Sequence, residues 1–300
     1  MPQAQGSRVQ LAYIAEATFG TTPPTPQTQS IEFSSFTGTL NADALVDPSI
    51  NPSRQVSYAR RGNTAAEGEL TVVLCADNYD AFMEAACMST YTANVLKIGT
   101  TRTSFAIEQG FTDLAQFRVF NGMVVNTMTI TVPVDELVTA TFGFMGTGTS
   151  AFSGTSVDIT PTVITVKDKF FHEGGVFKEG GTTVGYLSNI EFTLDNGYQQ
   201  SYALGATTVR EVAAGTLELT GTATALFESV AFYNKFVQNT DSSIEFTLTA
   251  GAESLAFLIP KVKYTSAAIP VDGDGPLVVE MGFNAIYDAT TTTSFRITRT

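Results

Sequence analysis

The chain has no tryptophan, one histidine and two cysteines in 300 residues, and its 16 Lys and Arg are outnumbered by 29 Asp and Glu. Each shortage closes a class of function. His172, in KFFHEGG, has no nucleophile motif beside it and reads as a turn residue rather than a general base. Cys75, Cys87 and His172 are too few and too scattered for a metal-ligand set. Two cysteines in a chain of this length make no disulfide framework, so a reducing compartment is expected. A net charge of −13, with no basic run beyond Arg60-Arg61, opposes binding to nucleic-acid phosphates. No apolar run approaches the ~20 residues that span a bilayer. The start, MPQAQGSRVQ, lacks the charged and apolar regions of a signal peptide. Synthesis in the cytoplasm without membrane insertion is therefore expected.

Chemistry-bearing motifs are missing as well. There is no Walker loop, and Gly180-Gly181 lacks the spacing that cradles phosphate. Asp272-Gly273-Asp274-Gly275 lacks the further oxygen ligands of a calcium loop and reads as a β-turn. Asp135 and Glu136 are adjacent at a hairpin tip, which points them apart. No enzyme, cofactor or metal is expected.

What is present is strand. Hydrophobic residues make up 43% and charged residues 15%, and Thr, Val, Phe and Gly are conspicuous, an all-β composition. The organising stretch runs from Phe105 to Gly146. Along it Val124, Met128, Ile130, Val132 and Val134 form the better apolar face, and Ala140, Phe142 and Phe144 resume the alternation. A period of two folded back through Asp135-Glu136 is a β-hairpin signal.

Much of that pattern returns from Phe257 to Asp288, with Asp272 to Gly275 at the corner and Gly282-Phe283 standing where Gly143-Phe144 stood. A strand followed by a helix also occurs twice. Gly68 to Leu74 precedes a helix over Tyr79 to Met88, which Asp77 can cap. Gly215 to Gly221 precedes a helix over Leu226 to Val237, with Leu226, Val230, Tyr233 and Val237 as its apolar stripe. The recurrence predicts two tandem β domains, of sandwich or barrel type, each with one short flanking helix and descended from an internal duplication. The expected boundaries are an extended arm over 1–30, a first domain over 31–146, a linker over 147–158, and a second domain over 159–300 that opens on Ile159 to Val166.

Two segments stand out as candidate contacts. Pro23, Pro24 and Pro26 give the arm an extended path, either loose or ordered by lying on a neighbouring subunit, and the aromatic pair Tyr13 and Phe19 speaks for the second. A long polar loop from Val46 to Glu67 carries Arg54, Gln55, Tyr58, Arg60 and Arg61. In an acidic chain its arginines suit a carboxylate-bearing partner, although solvated intramolecular pairs remain an alternative. The corresponding loop from Asp195 to Ala214 has only Arg210.

The pieces EATFGTTPPTP (16–26), SRQVSYARRG (53–62), GELTVVL (68–74), YDAFMEAAC (79–87) and FTDLAQFRVFNGMVVNTMTI (111–130) together resemble the tail tube (major tail) proteins of long, non-contractile-tailed bacteriophages. The resemblance implies a β-sandwich or barrel-like unit that forms rings, stacked into a hollow tube conducting DNA to the host. It implies a place in the virion tail and self-association as the main contact. It also implies a tape measure protein and double-stranded DNA in the lumen, with tail terminator and distal tail proteins at the ends. The Arg-bearing loop falls where this fold reaches neighbouring subunits or the next ring. Rings of the family are usually six units around, so two units per chain would let three chains complete a pseudo-six-fold ring, its bore lined by carboxylates that phosphates slide past. The competing readings are a carbohydrate-binding or adhesion β-sandwich, and a hexameric tube with one domain decorating the outside.

Overall fold

The computed structural model describes residues 3–50, 52–184, 187–227, 230–271, 273 and 275–300, and these fold into an almost wholly β protein with two short helices. Six strands of the first half carry its framework: β1 (Val9–Ala15), β2 (Thr39–Val46), β3 (Ala59–Val73), β4 (Ser104–Phe111), β5 (Gln116–Pro133) and β6 (Thr139–Gly146). Helix α1 (Asp80–Ala86) follows β3. The second half supplies β7 (Val176–Glu179), β8 (Leu187–Asp195), β9 (Glu218–Leu226), helix α2 (Ala231–Val237), β10 (Ser242–Ala250), β11 (Glu253–Ala268) and β12 (Val278–Ala285).

In the first half the strands pair, all antiparallel, in the order β2-β3-β6-β5-β4-β1. In the second half the order is β8-β9-β12-β11-β10-β7, again all antiparallel. Each strand of one half thus has a counterpart six labels on. The local irregularities coincide too. A register shift in β5 against β6 places Thr127 opposite Gly143, and one in β11 against β12 places Ser266 opposite Gly282. The halves join edge to edge where β5 also pairs with β8, Thr129 facing Thr193.

Period-two burial makes one face of this sheet apolar. On it Leu70, Val72, Met128, Ile130, Ala140, Phe142, Ile190, Phe192 and Phe283 are all buried. Each half centres on rings. Phe82 of α1 lies 4.6 Å from Tyr13, 5.2 Å from Phe105 and 5.5 Å from Phe142 between centroids. Phe192 lies 5.6 Å from Phe246 and 5.4 Å from Phe295. Such tilted pairs add about 0.5–1.5 kcal/mol each beyond the burial of their area.

Several expectations are corrected. The first thirty residues are not a free arm. β1 runs in register along β4 from Val9–Phe111 to Ala15–Phe105, and Gln29–Ile31 pairs with β1 on its other side. Leu11 and Ala12 are core residues, because the alternation of β1 has the Phe82 cluster to fill. The expected linker and the opening of the second domain lie fixed on the first half. Ser156 Oγ donates to Glu108 at 2.6 Å, Thr162 exchanges backbone bonds with Thr28 and Ser30, and Phe170 bonds Leu74 and Val138. Ile159 and Val163 are exposed there, and no strand forms between them. One apolar core runs through both halves, and among the described residues no sheet closes into a barrel.

Sequence alignment of the repeat also slips. Gly221, not Gly215, is the counterpart of Gly68, since Gly68 faces Phe144 as Gly221 faces Phe283. Asp77 does not cap α1. It lies in the left-handed region at φ 64° and forms ion pairs with Lys167 and Arg299, while Tyr79 holds the cap position. In α2 the expected stripe of Leu226, Val230, Tyr233 and Val237 is exposed, whereas Phe227, Phe232 and Phe236 pack on the core. Val134, expected on the apolar face, is exposed at the turn. Tyr186, Asp272 and Asp274 lie outside the described residues.

Candidate assembly interface

The segment read from sequence as a loop over Val46 to Glu67 is the far end of a long hairpin. β2 pairs with β3 from Thr39–Glu67 out to Val46–Ala59, and the described residues among 47–50 and 52–58 form the tip. Arg60 and Arg61 are therefore strand residues, opposite Leu45 and Ala44. Arg54 sits in the tip at φ 58°. All eight residues of β2 are exposed, so no burial alternation marks this part of the chain as strand.

The hairpin brings five of the candidates together, since Arg54, Gln55, Tyr58, Arg60 and Arg61 are all exposed on it. Among the described residues, none of the three guanidiniums is in an ion pair. Beside them stand Leu45 (59% exposed), Val46, Ile50, Val56 and Tyr58 (60% exposed). Apolar side chains of this size gain about 1.5–3 kcal/mol each on full burial, and several exposed on one projecting element mark an interaction surface. Sequence reading found the arginines and missed these apolar neighbours, which a period-two search across the polar tip does not reveal.

Tyr13 and Phe19 lie elsewhere. Tyr13 is 8% exposed and packs on Phe82 and Phe105, with its hydroxyl donating to Gln29 Oε1 at 3.2 Å. Burial first, and the Glu84 carboxylate second, push its phenol up to about 12. Its ring needs no neighbouring chain, because the first half already covers it. Phe19 is half-buried beneath Arg102, whose guanidinium carbon is 4.6 Å from the ring centroid. Arg102 also donates to Val212 O and pairs with Glu211 at 3.2 Å. This cation joins the two halves, and nothing in its sequence context, TTRTSF, signals that.

The junction at Phe19 shows how the second half reaches the first. Residues 196–217 form an excursion that corresponds in order to the β2–β3 hairpin and contains a small two-stranded ladder, Gln199–Ser201 with Glu211–Ala213. Tyr198, Val209 and Val212 of that excursion pack with Ala65, Val124, Phe19 and Met88. Asn196 Nδ2 donates to Val125 O and Ala86 O, both at 3.0 Å.

The opposite face of the sheet is also distinctive. The strand segments 66–73, 127–133, 139–146, 189–195, 218–226 and 278–285 contain no Lys or Arg. Turned away from the core along them are Glu67, Glu69, Glu191, Asp195, Glu218 and Glu280, set among threonines. Neighbouring hydroxyls bond across strands, Thr71 to Thr141 at 3.2 Å and Thr129 to Thr193 at 2.8 Å.

Among the described residues no group of His, Cys, Asp or Glu could hold a metal ion. His172 lies beside Asp135, with Nε2 3.8 Å from Oδ1, and Cys75 and Cys87 are buried free thiols. Among the described residues no helix is long and apolar enough to cross a membrane.

The family model for phage tail tube protein matches residues 6–285. The chain belongs to that family. This phage tail tube protein is accordingly a structural component of the virion tail and not an enzyme. The match runs through both halves, including β1 and the second half's strands as far as Ala285. No curated protein matches the chain.

Proposed function

We propose that this tail tube protein assembles as rings of three chains with pseudo-six-fold symmetry, stacked into the tube through which DNA leaves the capsid. The two halves act as near-equivalent wedges descended from one duplicated unit. Support for their equivalence comes from the shared strand order and the matching register shifts. The observation that carries the reading is the open face along those six strand segments, where carboxylates and threonines stand without Lys or Arg, while Lys261 and Lys263 on the adjoining β11 are held in ion pairs by Asp241. A wall of that kind gives DNA phosphates no cation to adhere to, so the strand slides.

Arg54, Gln55, Tyr58, Arg60 and Arg61 hold ring-to-ring or chain-to-chain contacts, with the exposed apolar residues of the hairpin supplying most of the attraction and the arginines the pairing with acidic neighbours. Tape measure protein and double-stranded DNA occupy the lumen in turn, and tail terminator and distal tail proteins meet the tube ends. Negative-stain imaging of the purified chain tests the reading. Rings or hollow tubes support it, and discrete particles at all concentrations contradict it in favour of a solitary β-sandwich module.

A further inference from the structure

The two helices occupy equivalent places but rest on different seats. Strand register fixes the comparison. Tyr264 faces Phe283 as Val125 faces Phe144. Ser242 faces Val262 and the pairing then steps to Ile244 with Ile259, just as Phe105 faces Met123 and steps to Ile107 with Phe120. Glu179 faces Ile244 as Tyr13 faces Ile107. Glu179, Ser242 and Tyr264 therefore stand in the places of Tyr13, Phe105 and Val125.

Under α1 that trio is apolar. Phe82 packs on its two rings, and α1 buries Phe82, Met83, Ala85 and Ala86. Under α2 the same ground is ionic. The Glu179 side chain is 6% exposed, and its carboxylate accepts from Lys235 Nζ of α2 at 2.7 and 2.5 Å. Tyr264 donates to the same carboxylate at 2.9 Å, and so does Ser242 Oγ. α2 itself buries none of its residues. Phe232 and Phe236 are half-buried against the core, while Val230, Tyr233 and Val237 are exposed.

The two seats differ in energy. An aromatic seat stabilises with every ring it takes out of water. A buried ion pair returns little net stability, because desolvation of both charges offsets their attraction, yet removing one partner leaves a buried charge unpaired at high cost. α1 is thus held by buried area. α2 hangs on one catch, whose cationic half is 31% exposed and can swing out to water.

We infer that α2 is a lid that lifts from the sheet as a unit while the strands stay paired, with the Glu179–Lys235 pair as its catch. Elements with few buried apolar contacts open at a lower free energy than global unfolding. The lid belongs to the second half alone, since the end of α1 is tied to the 196–217 excursion through Asn196 Nδ2 and Ala86 O. Opening carries Phe232 and Phe236 off the core and turns Glu179 to solvent. Two halves with one strand order therefore differ in function: one is rigid around its helix and the other adjustable. The lid operates in the free chain, whether or not the chains form rings.

Amide hydrogen exchange on the dilute, unassembled chain is the test. Asn234 and Gln238 amides, bonded to Val230 O and Asn234 O, report on α2, and Met83 and Cys87 amides, bonded to Tyr79 O and Met83 O, report on α1. With intrinsic rates divided out, the α2 amides are expected to exchange at least about tenfold faster than those of α1. Lys235→Met strands the Glu179 charge, and is expected to speed the α2 amides by a further factor of about ten while α1 and the strands keep parental rates. Adding Glu179→Gln removes the stranded charge, so the double variant should exchange more slowly at α2 than Lys235→Met alone. Equal protection of both helices in the parent overturns the inference. So does a Lys235→Met chain with parental exchange at α2, or one in which every element speeds up alike. Should Lys235→Met not accumulate as folded protein, Glu179→Gln alone, which keeps an acceptor for Tyr264 but removes the charge, is read by the same criteria.

Discussion

Thr193 lies directly opposite Thr129 where the two halves of the chain meet, and their hydroxyl oxygens are 2.8 Å apart. That pair lies within the antiparallel ladder, from Asn189–Pro133 to Asp195–Thr127, that makes the sheet continuous from one half to the other. Thr39 of β2 and Ala268 of β11 stand at the corresponding places in the strand order, on edges that no other strand among the described residues occupies.

Gly221 is fixed by packing. A Cβ there would sit 2.4 Å from the Phe283 ring and 2.6 Å from Glu191 O. Gly221→Ala should destabilise the fold by about 1–3 kcal/mol through overpacking, read as a lower denaturation midpoint at unchanged slope. Midpoints equal to the parent's would show that Phe283 has room to move.

The tip arginines are predicted to serve assembly and not folding. Replacing Arg54, Arg60 and Arg61 with Ser should leave circular dichroism and melting temperature unchanged, since none is buried or paired within the described chain. Polymerisation, followed by light scattering, should be slowed, and parental assembly should weaken as salt screens the contact. A triple variant that polymerises like the parent removes the role assigned to these residues.

β1 belongs to the core, so removing residues 1–15 should abolish cooperative folding instead of merely trimming an arm. The milder Leu11→Ala, at a site 2% exposed, should cost about 2–5 kcal/mol. A truncated chain with parental thermal stability would contradict the placement of β1.

Alkaline titration reports on Tyr13 separately. The phenol's ordinary value is 10.0, and burial moves it to about 12. A group whose folded value is raised contributes its stability in full below the unfolded value, and loses it as pH rises through the folded one. A phenolate absorbance step near pH 12, missing in Tyr13→Phe, is expected. A Tyr13 step at pH 10 would place the ring in solvent.

The hairpin over Met123 to Phe144 was legible because one of its faces is buried, and burial on one face writes a period of two into the sequence. The outer part of the β2–β3 hairpin was not legible, because both its faces are exposed and neither imposes an apolar parity. α2 misled for the opposite reason. AFYNKFV is apolar nearly all round, so spacing alone could not choose between Phe232 with Phe236 and Tyr233 with Val237. The prolines at 23, 24 and 26 drew attention to an extended path and hid the strand before them. Contacts between distant segments, such as Arg102 with Val212, leave no local trace. The arginines of the tip were found because three cations close together are unusual in an acidic chain, a signal of composition that no strand pattern was needed to read.

Mass measurement of a single released ring tests the account most directly. Three wedge pairs predict a ring weighing three times the 32.0 kDa of one chain. A ring of six chains would mean that only one half of each borders the channel, and would contradict the equivalence of the two halves.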